Sequence, residues 1–168
     1  MITIEIKNDQ VTPALTNLAD IFGDLSPLMG RLAKQLQTST QERFKKGIAP
    51  DGSVWAPKSP VTLARNPGFT QPLIGKSSEL SSTIGASYGP DYAEISSGRV
   101  QAAALHFGAG KGSFGPYAGT DKNGRRFSGS SPWGNIPARP FFGISDEDET
   151  DILDIVSEWL ARAATGGA

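Results

Sequence analysis

The chain has 168 residues, a mass of 17.7 kDa and a formal net charge of −1, so it has the size of one domain and is no generic nucleic-acid binder. It has no cysteine and a single histidine, which excludes a disulfide scaffold, a thiolate zinc site and a cysteine nucleophile. No apolar run approaches the roughly 18 residues of a membrane span and the N-terminus is unlike a secretory signal, so we expect a protein of the cytoplasm, or of a particle assembled there, with no membrane partner.

The sequence pattern of the N-terminal region predicts a strand followed by a short helix. Isoleucines alternate with polar residues over 2–7, which is the period of a half-buried strand. Residues 11–22 predict a helix with Pro13 in its first turn, ended by Gly23.

A long helix follows over residues 26–46. Ser26-Pro27 is a helix start signal, and the helical spacing stops at Gly47. Between these signals the apolar residues recur at helical spacing: Leu28, Met29, Leu32, Ala33, Leu36 and Phe44. We expect this apolar stripe to pack on a sheet.

Two long segments are rich in glycine or proline. Residues 47–75 hold nine such residues and predict a loop with one helical turn at 60–65. Residues 108–135 hold eight glycines, interspersed aromatics and a charge of +3, and predict a projecting loop or hairpin. Loops longer than about 15 residues are usually functional or ordered by a partner. Both segments are therefore candidates for a functional or partner-ordered role.

Two paired strands are predicted between these loops, over 77–88 and 91–97. The turn signal Gly89-Pro90-Asp91 separates them. Residues 100–107 fit either a short helix or a further strand, and their alanines favour the helix.

The C-terminal helix is the clearest element. Ser145 and Asp148 have the spacing of a capping box, and the four consecutive acidic residues 146–149 suit the positive end of the helix dipole. An apolar stripe follows at helical spacing: Ile152, Ile155, Val156, Trp159, Leu160 and Ala163. Gly166 and Gly167 end the pattern.

Charge is unevenly distributed along the chain. Residues 31–65 carry a net charge of +5, and residues 145–168 carry −6. This pattern fits two solvated helix faces. It also suits a subunit with one basic and one acidic end, placed for head-to-tail contact in a ring. The basic stretch leaves non-specific contact with DNA phosphates as an alternative, although its cations do not all fall on one helical face.

No catalytic or cofactor-binding constellation is evident. Gly75-Lys76-Ser77 resembles the end of a phosphate-binding loop, but Thr70 stands where the motif requires a glycine. His106 lies between Leu105 and Phe107, the setting of a packed and hydrogen-bonded histidine, and no nucleophile or orienting carboxylate can be singled out for it. We therefore expect no enzymatic activity, no cofactor and no metal.

Aromatic residues in proline-rich segments are the candidate interface residues. Residues 50–57 put a tryptophan on a turn, and residues 136–144 put an arginine and two phenylalanines in an extended strand. Two consecutive side chains of a regular strand face opposite ways, so one phenylalanine enters the core, and the other, with Arg139, needs a partner. The alternative is that the long loops cover both internally. The interface candidates are Trp55, Phe107, Arg139, Phe141 and Phe142.

These segments together resemble one family, the phage virion-morphogenesis or tail-completion proteins of Mu-like and related tailed phages. The resemblance spans about residues 25–160 and lies in the order and spacing of short motifs. These motifs are Phe44 and Gly47, Pro50-Asp51-Gly52, Trp55-Ala56-Pro57, Pro72-Leu73-Ile74-Gly75-Lys76-Ser77-Ser78-Glu79-Leu80, Thr83-Ile84, His106-Phe107-Gly108 and Ile136-Pro137-Ala138-Arg139-Pro140-Phe141-Phe142-Gly143.

The resemblance implies a single α+β domain over 1–168. A long helix in the N-terminal half and the C-terminal helix would pack on a small, mostly antiparallel sheet, with projecting loops at about 47–75 and 108–135. It implies a structural protein of the tail terminus or neck, found in the virion and in the host cytoplasm during assembly. Six copies would form a ring that completes the tail, contacts other tail and head–tail connector proteins and lets genomic DNA pass without specific binding. A non-specific DNA-binding accessory protein of virion assembly is the alternative.

Overall fold

The computed structural model describes residues 22–130 and 135–164. Its elements in chain order are α1 (Ser26–Lys46), α2 (Pro60–Arg65), α3 (Glu79–Ser82), β1 (Ile84–Tyr88), β2 (Ala93–Ser97), α4 (Ala102–Phe107), β3 (Pro116–Thr120), β4 (Arg126–Ser130) and α5 (Asp146–Ala164). This mixture of helices and small two-stranded sheets confirms the expected α+β class. The predicted strand over 2–7 lies outside the described residues, as does the predicted helix over 11–22 except for Phe22.

The chain divides into two compact units. Among the described residues, the first unit comprises 22–39, 85–96 and 146–164, and the second comprises 40–84, 97–130 and 135–145. The single domain expected over the whole chain stays a prediction.

Helix α1 has the predicted bounds, and local hydrogen bonds explain both ends. The carboxylate of Asp24 accepts a hydrogen bond from the backbone N–H of Ser26 at 2.9 Å, which satisfies one of the donors that a helix start leaves free. At the other end, Gly47 has a φ of 72° and donates its N–H to the carbonyl of Arg43 at 2.7 Å. A left-handed glycine is the usual way to stop a helix.

In the first unit, polar side chains link the two long helices. Arg31 of α1 forms an ion pair with Glu158 of α5, and Gln35 donates a hydrogen bond to Asp151. The β1–β2 hairpin approaches the same helix closely, because the ring of Tyr88 lies against Gly30, where a Cβ atom would stand 3.1 Å from the ring. The first unit therefore has the predicted arrangement of helices against a small sheet.

The predicted strand over 77–88 is wrong in its first half. Residues 79–82 form α3, and only Ile84–Tyr88 is a strand. The hydroxyls of Ser81 and Thr83 donate to the carbonyls of Ser78 and Glu79, at 2.9 and 2.6 Å. Such local bonds from serine and threonine give the backbone an alternative to the sheet ladder. The second strand, β2, and the turn at 89–91 are as predicted.

The two glycine-rich or proline-rich segments have more structure than loops alone. Residues 47–75 begin with a tight turn closed by an Ile48–Val54 bridge, and α2 supplies the predicted helical turn at 60–65. Residues 108–135 contain the antiparallel β3–β4 hairpin, which confirms the predicted loop or hairpin. Residues 100–107 form a helix, α4, as their alanines favoured.

Candidate functional site

The segment Arg139–Gly143, called the anchored segment below, passes through the second unit and is held by side chains from three other parts of the chain. The indole N–H of Trp55 donates to the carbonyl of Pro140 at 2.8 Å. One guanidinium nitrogen of Arg43 donates to the carbonyls of Phe141 and Gly143, at 3.2 and 2.8 Å. Backbone groups that would otherwise be buried without partners are therefore satisfied.

The ring of Phe141 is the centre of the aromatic core of this unit. It has no exposed surface, and its centroid lies 5.1 Å from that of Phe44 and 4.9 Å from that of His106. Phe44 in turn meets Trp55 edge to face, with 5.5 Å between the ring centroids. These separations are those of favourable aromatic pairs.

Arg139 is also buried, and its guanidinium fastens the segment to the 47–75 loop. Its Nε donates to the carbonyl of Ala56 at 2.7 Å, and Nη2 donates to the carbonyl of Pro57 at 2.8 Å. Burial lowers the pKa of Arg139. The loop thus covers this arginine from within the subunit, which is the alternative that the sequence left open.

Lys58 extends this contact along the same loop. Its ammonium donates to the carbonyl oxygens of Phe69 and Ile74, at 2.7 and 2.5 Å. Burial, and secondly the nearby charge of Arg139, lower the pKa of Lys58. The two cations therefore bind carbonyl oxygens of the long loop and give it a defined path.

His106 holds the anchored segment from α4. Its Nδ1 accepts a hydrogen bond from the backbone N–H of Phe141 at 3.2 Å, with a longer contact of 3.5 Å from the N–H of Phe142. Burial lowers the pKa of this imidazole, and an accepting Nδ1 requires the neutral ring. The prediction of a packed, hydrogen-bonded histidine is confirmed.

Exposed apolar residues lie on α4 and just before it. Val100 precedes the helix, Ala103 and Phe107 lie on it, and we call these three residues the α4 surface. The ring of Phe107 also meets that of His106 edge to face, with 4.5 Å between the ring centroids. Val100 is 98% exposed and Phe107 is 77% exposed. The end of α4 is fixed rigidly, because Gly108 has a φ of 77° and a Cβ atom there would lie 2.8 Å from the backbone nitrogen of Ala138.

The five interface candidates therefore divide into two groups. Trp55, Arg139 and Phe141 are buried within the subunit, whereas Phe142 is half-buried and Phe107 is exposed. Their role in an interface stays a prediction for all five.

Sequence reasoning missed Arg43, which it treated only as part of a basic stretch. A signal was present, since Arg43 follows Leu36 and Thr40 at helical spacing and immediately precedes Phe44 on the buried side of α1.

The described residues contain neither a metal-binding cluster nor a membrane-spanning helix. Across 22–130 and 135–164, no three His, Asp or Glu side chains lie close enough together to hold a metal ion. In the same ranges, no helix combines the length and apolar character needed to cross a bilayer.

Comparison with known proteins shows the family to which the chain belongs. The chain matches the phage virion morphogenesis family over residues 6–161. It is 29% identical to the Mu-like prophage FluMu G protein 2 of Haemophilus influenzae, over 95% of this chain and 96% of that protein. It is also 29% identical to the putative capsid assembly protein G of Escherichia phage Mu, over 96% of this chain and 94% of that protein. No solved structure matches the chain significantly.

These similarities place the chain among the proteins that build phage virions. The chain belongs to the phage virion morphogenesis family, which confirms the resemblance seen in its motifs. Its role is therefore in the assembly of a phage particle.

Proposed function

We propose that this protein is a structural component of the phage tail terminus or neck. Identical subunits, six in number, close into a ring that completes the tail and helps to join it to the head. The protein catalyses no reaction, and genomic DNA passes through the ring without specific binding. Family membership supports the assembly role, and the α4 surface is the observation that supports association of subunits.

The α4 surface suits a permanent contact for three reasons. Its two large side chains, Val100 and Phe107, are exposed although burial of each would contribute about 1.5–3 kcal/mol. Helix α4 carries Phe107 and begins two residues after Val100. It is pinned to the core through His106 and Gly108, so little ordering is needed on binding. Aromatic side chains on a rigid support are typical interface anchors.

The test compares the oligomeric state of matched variants by sedimentation velocity. Val100→Ser combined with Phe107→Ser should weaken self-association by at least about tenfold, with an unchanged thermal unfolding midpoint. Val61→Ser is the control, because Val61 is also exposed but lies on α2. A wild-type chain that stays monomeric at high concentration and binds no tail would contradict the proposal. Negative-stain images of labelled particles then locate the ring.

Non-specific DNA binding in virion assembly is the second candidate function, favoured by the exposed cations of the β3–β4 hairpin. Lys122, Arg125 and Arg126 lie at or beside its tip. A DNA-binding role requires an affinity for duplex DNA that falls steeply with salt and is lost when these cations are replaced. A ring component without this role would retain its oligomeric state and show no such affinity.

A further inference from the structure

We propose that the β3–β4 hairpin is a basic arm that docks on the acidic face of α5 in a second copy of this chain. This inference rests on the proposed function, since it names a contact through which identical subunits associate. Because the arm and the acidic helix are different surfaces, the contact is heterologous and can repeat around a closed ring.

The arm is preformed rather than a flexible loop. Its strands pair in a continuous register from Pro116–Ser130 to Thr120–Arg126. At the tip, the carboxylate of Asp121 accepts the backbone N–H groups of Asn123 and Arg125, at 2.8 and 2.9 Å. Such a turn orders the tip before any partner binds, which lowers the entropic cost of docking.

In the part of the chain that the structure describes, the arm is a sheet of two strands only. There β3 and β4 pair only with each other, so each has one open edge. The ring of Phe127 lies across Gly119, where a Cβ atom would stand 2.6 Å from it, and 45% of Phe127 is exposed. An isolated two-stranded sheet is marginally stable in water, so this hairpin gains from a surface to pack against.

The charge of the arm selects that surface. Lys122, Arg125 and Arg126 are exposed, and within the described ranges none of them forms an ion pair. The nearest acid in sequence, Asp121, is engaged in the turn. The arm therefore presents three exposed cations that complement an acidic surface.

Helix α5 supplies a matching surface. It holds seven acidic residues against Arg162 alone. Glu147, Asp151, Asp154 and Glu158 follow one another along one face at helical spacing. Asp151 and Glu158 already bind α1, whereas Glu147 and Asp154 are exposed and, in the described part of the chain, form no ion pair.

A second copy is favoured over DNA because the chain carries its own counter-charge, and the acidic helix would repel phosphates.

The test exchanges charges between two variants of the full chain. The arm variant carries Arg125→Glu and Arg126→Glu, and the helix variant carries Glu147→Lys and Asp154→Lys. Each variant alone places like charges in the contact, so its self-association should weaken by about tenfold or more. An equimolar mixture of the two should assemble again, because every contact in an alternating ring then joins opposite charges. Sedimentation velocity and thermal unfolding of each variant provide the readouts.

A control variant carries the same change in net charge elsewhere. Arg65→Glu with Lys76→Glu should leave self-association unchanged, since both residues are exposed and lie outside the arm. Wild-type-sized oligomers from both the arm and helix variants would overturn this inference while leaving the proposed function intact. Failure of the mixture to assemble would also overturn it, as would an arm variant that assembles normally but loses retention of duplex DNA. A monomeric wild-type chain would instead contradict the proposed function itself.

Discussion

Phe141 and Phe107 are both aromatic residues of the second unit, and the structure gives them opposite environments. Phe141 contacts Phe44 and His106 in the core, whereas Phe107 lies on the exposed face of α4. The same residue type therefore serves folding at one position and is available for association at the other.

Phe141→Ala should lower the free energy of unfolding by about 3–5 kcal/mol, because a large ring is replaced by a cavity. Phe107→Ala should lower it by no more than about 1 kcal/mol, since the exposed ring loses only its edge contact with His106. Urea denaturation of the two variants measures both values. Similar losses for the two would contradict the assignment of Phe141 to the core.

His106 makes stability depend on pH. Burial lowers the pKa of its imidazole below the unfolded value of about 6.5. Between the two pKa values the unfolded chain binds more protons, so stability rises with pH. The contribution is complete above about pH 6.5 and is lost as the pH falls through the folded pKa. We expect the urea concentration at the unfolding midpoint to decrease when the pH is lowered from 7.5 to 5.

His106→Asn is the matched variant, because an amide oxygen can accept the same backbone N–H without titrating. His106 is the only histidine in the chain. The variant should therefore lose most of the dependence of stability on pH between pH 7.5 and pH 5. An equally steep decline in wild type and variant would assign the effect to carboxylates instead.

The β3–β4 hairpin is an element that can be removed as a unit. The Ala109–Ile136 bridge closes its base, with hydrogen bonds of 2.9 and 2.7 Å in the two directions. Replacing residues 112–134 with two glycines leaves a short connection of ordinary length between these paired residues.

This excision should change the free energy of unfolding by no more than about 1 kcal/mol while weakening self-association. Circular dichroism melting and sedimentation velocity provide the two readouts. A chain that no longer unfolds cooperatively would show that the hairpin belongs to the core of the second unit.

Elements were predictable where their signals are local. Helix α1 begins and ends at cap and glycine signals that act within a few residues, and α5 begins after its predicted cap at Ser145. The glycines predicted to end α5 lie outside the described residues. Helix α3 was not predictable as a helix, because four residues are too short for a helical period and its serine bonds to the backbone of its own turn.

At the scale of the whole molecule, the motif order was sufficient to predict the family. The same motifs did not reveal which side chains face inward. Alternation along an extended segment separates Phe141 from Phe142, and it places Arg139 on the same face as Phe141, two residues further on. The sequence did not show which of the two faces is buried. Arg43 was missed because its partners, Phe141 and Gly143, lie far along the chain.

Several cations of the basic stretch are engaged within the folded chain and do not form a free basic surface. Arg43 and Lys58 of the basic stretch bind backbone carbonyls, and Arg31 is paired with Glu158. These three cations of the basic stretch therefore serve contacts within the subunit, whereas the cations that we propose for association lie at the hairpin tip.

The carbonyl oxygens that bind Arg139 and Lys58 have a consequence for acid conditions. Unlike carboxylates, backbone carbonyl oxygens are not protonated in mild acid, so they continue to accept hydrogen bonds. Arg139 and Lys58 also stay positively charged as the pH falls. Acid therefore releases the anchored segment on its histidine side while the loop side remains fastened. The first partly unfolded state in acid should keep residues 56–58 in contact with Arg139. In hydrogen exchange, the backbone amides of α4 should lose protection before those of the long loop.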